Sequence, residues 1–308
     1  MLRDLLRGDD QARAAAQVVS HVAPDILVLQ GVDYDAELRT LTALREVIGT
    51  VGWRFPHVFA LPPNTGVQTG LDMNGDGRLG GPADAQGYGR FRGADGMAIL
   101  SKWPIILSEV QDHSDLLWRA LPRADLPKRD GTPFPSEAAQ ASQRLSSVGH
   151  WVVPIAHPDG VVTIMAFAAG PPVFDGPEDR NGLRNADEIR FWQVYLGGEF
   201  GAPPKSRFVI AGNANLDPDN GEGRRDAIAD LIRDPSLQDP LRDAGPTVDW
   251  PEPTPGDLRV SYVLPSADWT VENAGVFWPR EGARDHDLLV YDETAASRHR
   301  LVWVDIGF

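Results

Sequence analysis

Apolar residues in the first fifty positions fall at helical spacing, then in one unbroken run, then at helical spacing again. Val18, Val19 and Val22 share a face of a segment that Asp9 and Asp10 are placed to cap, which predicts a helix to about Ala23. The run Asp25-Ile-Leu-Val-Leu-Gln30 has no polar alternation, as expected of a strand buried on both faces. Leu41, Leu44 and Ile48 then line one side of a helix over 36–50. The pattern breaks over 61–95, a Gly-, Pro-, Asn- and Asp-rich stretch long enough to predict a functional loop. It resumes in a short apolar strand, Gly96-Met-Ala-Ile-Leu-Ser-Lys-Trp-Pro104, closed by proline.

A second polar insertion spans 111–144, followed by strands over 145–154 and 161–168. After a charged loop, Asn185 and Glu188 have capping-box spacing ahead of Ile189, Trp192, Val194 and Tyr195, so a helix is expected to open at Asn185. Arg207-Phe-Val-Ile-Ala-Gly212 reads as another buried strand, and a helix follows at about 223–233. A third loop, over 234–257, holds six prolines. The last third reads as strands over 258–264, 269–278, 287–291 and 301–306, where Val302 and Val304 alternate with Trp303 and Asp305. Consecutive C-terminal strands argue against a wholly parallel sheet. The expectation is an α/β fold, a four-layer sandwich of two packed mixed β-sheets flanked by helices, in a single domain over 1–308 with insertions near 61–95, 111–144 and 234–257.

Composition narrows the chemistry. There is no cysteine, which excludes disulfides, thiolate metal sites and a cysteine nucleophile while leaving the compartment open. Against 29 basic residues stand 44 acidic ones, a net charge of −15 that disfavours non-specific nucleic-acid binding. No stretch approaches the roughly eighteen apolar residues of a membrane span, and the start MLRDLLRGDD lacks the apolar core of a secretory signal.

Five regions, in order along nearly the whole chain, resemble the endonuclease/exonuclease/phosphatase superfamily. They are Asp25-Ile-Leu-Val-Leu-Gln-Gly31, Gly96-Met-Ala-Ile-Leu-Ser101, the strand ending at Phe167, Val209-Ile-Ala-Gly-Asn-Ala-Asn-Leu-Asp217, and Arg259-Val-Ser-Tyr-Val-Leu-Pro-Ser266 with Ser297-Arg-His299. The resemblance implies a phosphoester hydrolase that uses Mg²⁺ or Mn²⁺. It also implies a Glu metal ligand where Gly31 stands, a transition-state His where Ala168 stands, and a water-orienting Asp where Asn213 stands. An acidic site residue is replaced by Ser261, and the Asp of a closing Ser-Asp-His by Arg298. Asn215, the phosphate-holding Asn, and His299 match directly. The family's first strand, with a further Asn near the metal, falls ahead of Leu2.

Four lost negatives and one gained positive change the local charge by about +5, and each close unit pair is worth ~4 kcal/mol at an effective dielectric of ~20. A dication is then not expected at the usual place. The resemblance therefore leaves three readings: a catalytically impaired relative that binds a phosphate-bearing ligand, an altered hydrolase built on His299 and Arg298, or an active metal-dependent phosphodiesterase or nuclease with a rearranged site in which Asp285-His286 is the terminal pair. Arg180 and Arg184, in the charged loop where the family's site loop belongs, are candidates for reaching a phosphate or carboxylate.

Separately, Leu71-Asp-Met-Asn-Gly-Asp-Gly-Arg-Leu79 carries D-x-N-x-D-G, the first half of an EF-hand-type loop. Asp72, Asn74 and Asp76 place oxygens at alternate positions, Gly77 permits the turn, and the Arg78 carbonyl supplies a further ligand for Ca²⁺. Ala83 occupies the bidentate position, with Asp84 beside it as the substitute.

Overall fold

The computed structural model describes residues 1–290 and 295–308. The chain enters through α1 (Leu2–Arg7) and α2 (Asp10–Val22), and the Asp9 carboxylate caps α2 by accepting from Ala12 N. Strand β1 (Ile26–Val32), helix α3 (Arg39–Thr50), and strands β2 (His57–Phe59) and β3 (Gly96–Ser101) follow, and these strands form an antiparallel sheet in the order β1-β3-β2. The insertion at 111–144 is not structureless. It holds β4 (Gln111–Asp112), a small hairpin of β5 (Lys128–Arg129) and β6 (Thr132–Pro133), and helix α4 (Glu137–Ser142).

The centre of the molecule is a mixed five-stranded sheet. It contains β4, β7 (Gly149–His157), β8 (Gly160–Ala168), β9 (Phe208–Asn213) and β10 (Ser261–Pro265), in the order β10-β9-β8-β7-β4. Only β8 and β9 run parallel, because α5 (Arg180–Leu196) crosses between them. Helix α6 (Asp226–Ile232) packs beside α5, and β11 (Thr270–Val276) pairs antiparallel with β12 (Val302–Gly307).

Three apolar clusters fill a four-layer sandwich. Leu5, Ala16, Leu41 and Ile48 of α1–α3 meet Leu27, Ala98 and Leu100 of β1 and β3. The opposite face of those strands, with Met97 and Ile99, packs on Trp151, Val153 and Ile164 of the five-stranded sheet. Beyond that sheet, Met165, Phe167 and Ile210 are covered by Phe191, Trp192 and Tyr195 of α5 and Ile228 and Leu231 of α6. Gly212 has no room for a side chain, since a Cβ there would stand 2.0 Å from the Phe167 carbonyl oxygen.

Three sequence expectations are corrected. The helix expected to open at Asn185 begins at Arg180, because Asp175 satisfies the first-turn amide of Asn181 from outside the segment (2.5 Å). The strand over 287–291 is replaced at its start by a short 3₁₀ turn, His286–Leu288, and residue 291 lies outside the described residues. Strand β1 is only half-buried at Val28, Leu29 and Gln30, because its edge opposite β3 borders a cavity.

Candidate functional site

The register of the central sheet brings three of the candidate positions into line. Asn213 at the end of β9 pairs with Ala168 of β8 on one side and Ser261 of β10 on the other. Gly31 and His299 line one cavity together with Asn213 and Ser261. Gln30 ties β1 to this end of the sheet by donating from Nε2 to the Phe167 carbonyl (3.0 Å). His299 is bridged to Val248 and meets Trp250 edge-on at 5.7 Å, and Thr247 Oγ1 accepts from Ser261 N (3.0 Å). These five positions therefore converge, although the chain separates Gly31 from His299 by most of its length.

Within the cluster the two asparagines are locked together. Asn213 Nδ2 donates to Asn215 Oδ1 (3.0 Å), while Asn215 N donates to Asn213 Oδ1 (2.9 Å) and Asn215 Nδ2 to the Ala169 carbonyl (2.8 Å). Asn215 adopts a left-handed φ of 50°, a conformation its short polar side chain tolerates. Asp217 closes the turn, its carboxylate accepting from Arg259 N (2.6 Å) and from Asp219 N and Asn220 N (2.8 Å each). Burial, reinforced by the positive charge of Arg300, holds His299 below the ordinary histidine range, so its imidazole is neutral near pH 7.

The arginines do not converge on this site. Arg184 is 6% exposed, and its Nε and Nη2 donate to the carbonyls of Leu145, Gln86, Arg144 and Ser146. Its guanidinium is thus a clamp on the 144–146 loop. Arg180 donates to Gln143 Oε1 (2.7 Å) with the carboxylates of Asp175, Glu178 and Asp84 around it. Arg298 donates to the Asp249 carbonyl (3.1 Å). Asp285 pairs with His21 of α2 at 3.1 Å, and neither it nor His286 lines the cavity of Asn213.

Sequence reasoning missed the buried framework beneath the site. Asn185 and Glu188, spaced as a capping box, instead point inward from the middle of α5. Asn185 Nδ2 donates to the carbonyls of Gly170 and Ala214 (2.7 Å each), fixing the two loops that carry Ala169 and Asn215. Glu188 accepts from Ser147 N (2.5 Å) and Gly170 N (2.8 Å). Burial pushes its carboxyl up to about 7, against the pull of Arg184 and these N–H groups. His150, also fully buried, is driven down to about 3; its Nε2 donates to the Glu188 carbonyl (2.8 Å) and its Nδ1 accepts from Ser146 Oγ (2.5 Å). The only sequence signal for this framework was polar residues at three-residue spacing on an otherwise apolar helix face.

A magnesium-type ion requires hard oxygen donors, normally including carboxylates. At the convergence of β9, β10 and His299 the side chains are two mutually bonded amides, a hydroxyl and an imidazole. Among the described residues no three His, Asp or Glu side chains are grouped so as to hold a metal. This donor set does not fit such an ion. In the 71–79 loop, Asp72 accepts from Gly75 N (2.6 Å) and Gly77 N (2.8 Å), and Asp84 is turned inward to accept from Met73 N (2.9 Å) and Gly81 N (3.0 Å). Burial would raise the Asp72 carboxyl, but these backbone bonds outweigh it and hold it below its ordinary value.

The fold is shared with solved structures of low sequence identity. A family protein from Leptotrichia buccalis superposes with a TM-score of 0.55 at 14% identity, over 97% of this chain and 93% of that one. Sphingomyelinase C from Streptomyces griseocarneus gives 0.52 at 17% identity, over 96% and 91%. A mutant beta toxin from Staphylococcus aureus with bound magnesium ions gives 0.51 at 13%, over 98% and 94%. No curated protein matches the chain by sequence. The sequence model of the Endonuclease/Exonuclease/phosphatase family matches residues 2–299, nearly the whole chain, and the protein belongs to that family.

Proposed function

We propose that this family member binds a small phosphate-bearing ligand at the Asn213–His299 end of its sheets and is impaired as a metal-dependent phosphoesterase. The observation that carries the reading is the donor set. Gly31, Asn213 and Ser261 stand where the family places carboxylates, and the amides, hydroxyl and neutral imidazole around them can hydrogen-bond phosphate oxygens without an intervening cation. The net charge of −15 favours a small ligand over an extended polyanion, whose approach it opposes at long range.

A second reading has one observation in its favour. Asp33 and Asp95 line the same cavity as Gly31, and Asp33 Oδ1 accepts from Asp95 N (3.3 Å), so two carboxylates could form a rearranged metal site for an active phosphodiesterase. The two readings separate on hydrolysis of bis-(p-nitrophenyl) phosphate and plasmid DNA with Mn²⁺ or Mg²⁺ against a chelated control. The first expects turnover at the chelated level, together with calorimetric binding of the phosphodiester that Asn215→Ala abolishes. Metal-dependent turnover that Asp33→Asn removes would establish the second.

The 72–84 loop is the proposed calcium site. Asp72, Asn74 and Asp76 would supply side-chain oxygens and Arg78 its carbonyl. Asp84, engaged by backbone amides inside the loop, would act by holding the turn.

A further inference from the structure

The turn after β8, at Ala169 and Gly170, is held from beneath through a single residue. Gly170 N donates to Glu188 Oε2 (2.8 Å), and the Gly170 carbonyl accepts from Asn185 Nδ2 (2.7 Å). Glu188 also draws in the loop ahead of β7, its Oε1 accepting from Ser147 N (2.5 Å) and its Oε2 from Ser147 Oγ (3.2 Å). Both oxygens therefore act as acceptors, the pattern of an ionised carboxyl. Yet Glu188 is completely buried, and Arg184, one turn back on α5, spends its Nε and Nη2 on the carbonyls of Leu145, Gln86, Arg144 and Ser146. Among the described residues no salt bridge joins the two side chains, and a buried charge without a bonded counter-ion is costly. The same cell holds an acceptor with no donor, Asn185 Oδ1, on a side chain as fully buried as Glu188. Asn185 and Glu188 share one face of α5 and meet at Gly170, so the cell is one hydrogen short. A proton on Glu188 supplies it.

We propose that Glu188 is a proton-operated latch on the candidate site, closed when ionised and released on proton uptake. Ionised, it ties the Ser147 and Gly170 loops together. Protonated, one oxygen turns from acceptor to donor, toward Ser147 Oγ or Asn185 Oδ1, and the Gly170 amide loses its partner. The next link is the Ala169 carbonyl, which accepts from Asn215 Nδ2 (2.8 Å), and beyond it lies the Asn213–Asn215 pair. The charged and titratable groups facing Glu188 are Arg184 on its own helix and His150 on β7, with His113 packed behind against Phe191 and Tyr195. Asp187 faces away, onto Trp118 and Arg190. Burial holds both histidines below their ordinary range, so they stay neutral while Glu188, pushed up to about 7, changes charge. The latch is therefore closed above about pH 7 and open below it. Its consequence for a ligand, tighter binding when closed, rests on the phosphate reading of the site.

The test follows the Gly170 and Ser147 amides by NMR from about pH 5.5 to 8.5 without ligand. It then measures calorimetric binding of bis-(p-nitrophenyl) phosphate, a monoanion throughout that range. Both amide shifts are expected to titrate together with one midpoint near 7, and Gly170 to lose roughly 10-fold in exchange protection on the acid side, the equivalent of one hydrogen bond. In Glu188→Gln both shifts should stay near their acid values at every pH. The unmodified chain should bind the phosphodiester roughly 10-fold more tightly than Glu188→Gln at about pH 8 and nearly equally at about pH 6, a comparison that cancels any titration of His299. Constant shifts in the unmodified chain, or the same titration in Glu188→Gln, would overturn the latch, and the first of these needs no variant to fold. Tighter binding by Glu188→Gln at about pH 8 would mean that Glu188 acts on the ligand only by repulsion, and would overturn its coupling to the site. Titrating amides with no phosphodiester binding at either pH would uphold the latch and refute the phosphate reading alone.

Discussion

On the α5 side of the five-stranded sheet, Met165, Phe167, Ile210 and Trp192 are completely buried, and a connected polar framework of Arg184, Asn185, Glu188 and His150 fixes the loops above them. On the opposite side, Val28, Leu29 and Val304 are only half-buried because β1 and β12 face each other across an open slot. The candidate site lies where the two halves meet. Its β8, β9 and β10 residues are set by the well-packed half and its Gly31 and His299 by the loose one. Rigidity there is unequal, and the asparagine pair belongs to the rigid side.

The difference should be largest in paired truncations within one apolar cluster. Val153 and Val28 both belong to the inter-sheet core, but Val153 is enclosed and Val28 borders the slot. Val153→Ala should cost about 2–3 kcal/mol in denaturant unfolding and Val28→Ala about 1 kcal/mol or less, since a side chain beside a void has fewer contacts to lose. Equal losses would mean that the slot is closed in solution.

A smaller effect should appear in pH dependence. The Glu188 carboxyl has a folded pKa of about 7, above its unfolded value. Its contribution is therefore fully present below the unfolded pKa and is lost as pH rises through about 7. His150 has the opposite sign: held at about 3, it contributes above its unfolded value of 6.5 and loses that contribution as pH falls. Glu188→Gln should remove the fall in stability that Glu188 produces between roughly pH 4.5 and 7, so that the rise from His150 is no longer offset up to about pH 6.5, measured by urea midpoints across pH. An unaltered slope over that window would show that Glu188 does not titrate there.

The smallest effect belongs to the 72–84 loop, which lies outside both halves. Calcium should raise Tm by a few degrees and show one calorimetric site that Asp76→Ala removes. No heat and no shift would mean that the backbone-bonded Asp72 turn is complete without a cation.

The fold was legible where its signals are local. Unbroken apolar runs marked β1, β8 and β9, and the Asp9 cap and valine face marked α2. Signals that depend on distant partners were not legible. The start of α5 rests on Asp175, outside the helix, so Asn185 and Glu188 imitated a cap that the chain does not use. Arg184 reads as an exposed loop cation until the 144–146 carbonyls fold over it. The half-burial of β1 depends on which strand does or does not lie beside it, which no periodicity within β1 records. For the site, motif order placed Asn213, Asn215, Ser261 and His299 in one neighbourhood, whereas the framework that holds them was invisible because its polar residues sit on an apolar helix face.

The most direct test of the neutral site is a Mn²⁺ titration followed by paramagnetic broadening of the His299 imidazole and the Asn213 and Asn215 side-chain amides. The unmodified chain should show no broadening at these groups up to millimolar metal. Gly31→Glu, Asn213→Asp and Ser261→Asp together should produce it at His299 and Asn215, with some loss of affinity because position 31 has a φ of 72° that strains any side chain by about 1–2 kcal/mol. Strong broadening of His299 and Asn215 in the unmodified protein at micromolar Mn²⁺ would contradict the neutral-site reading.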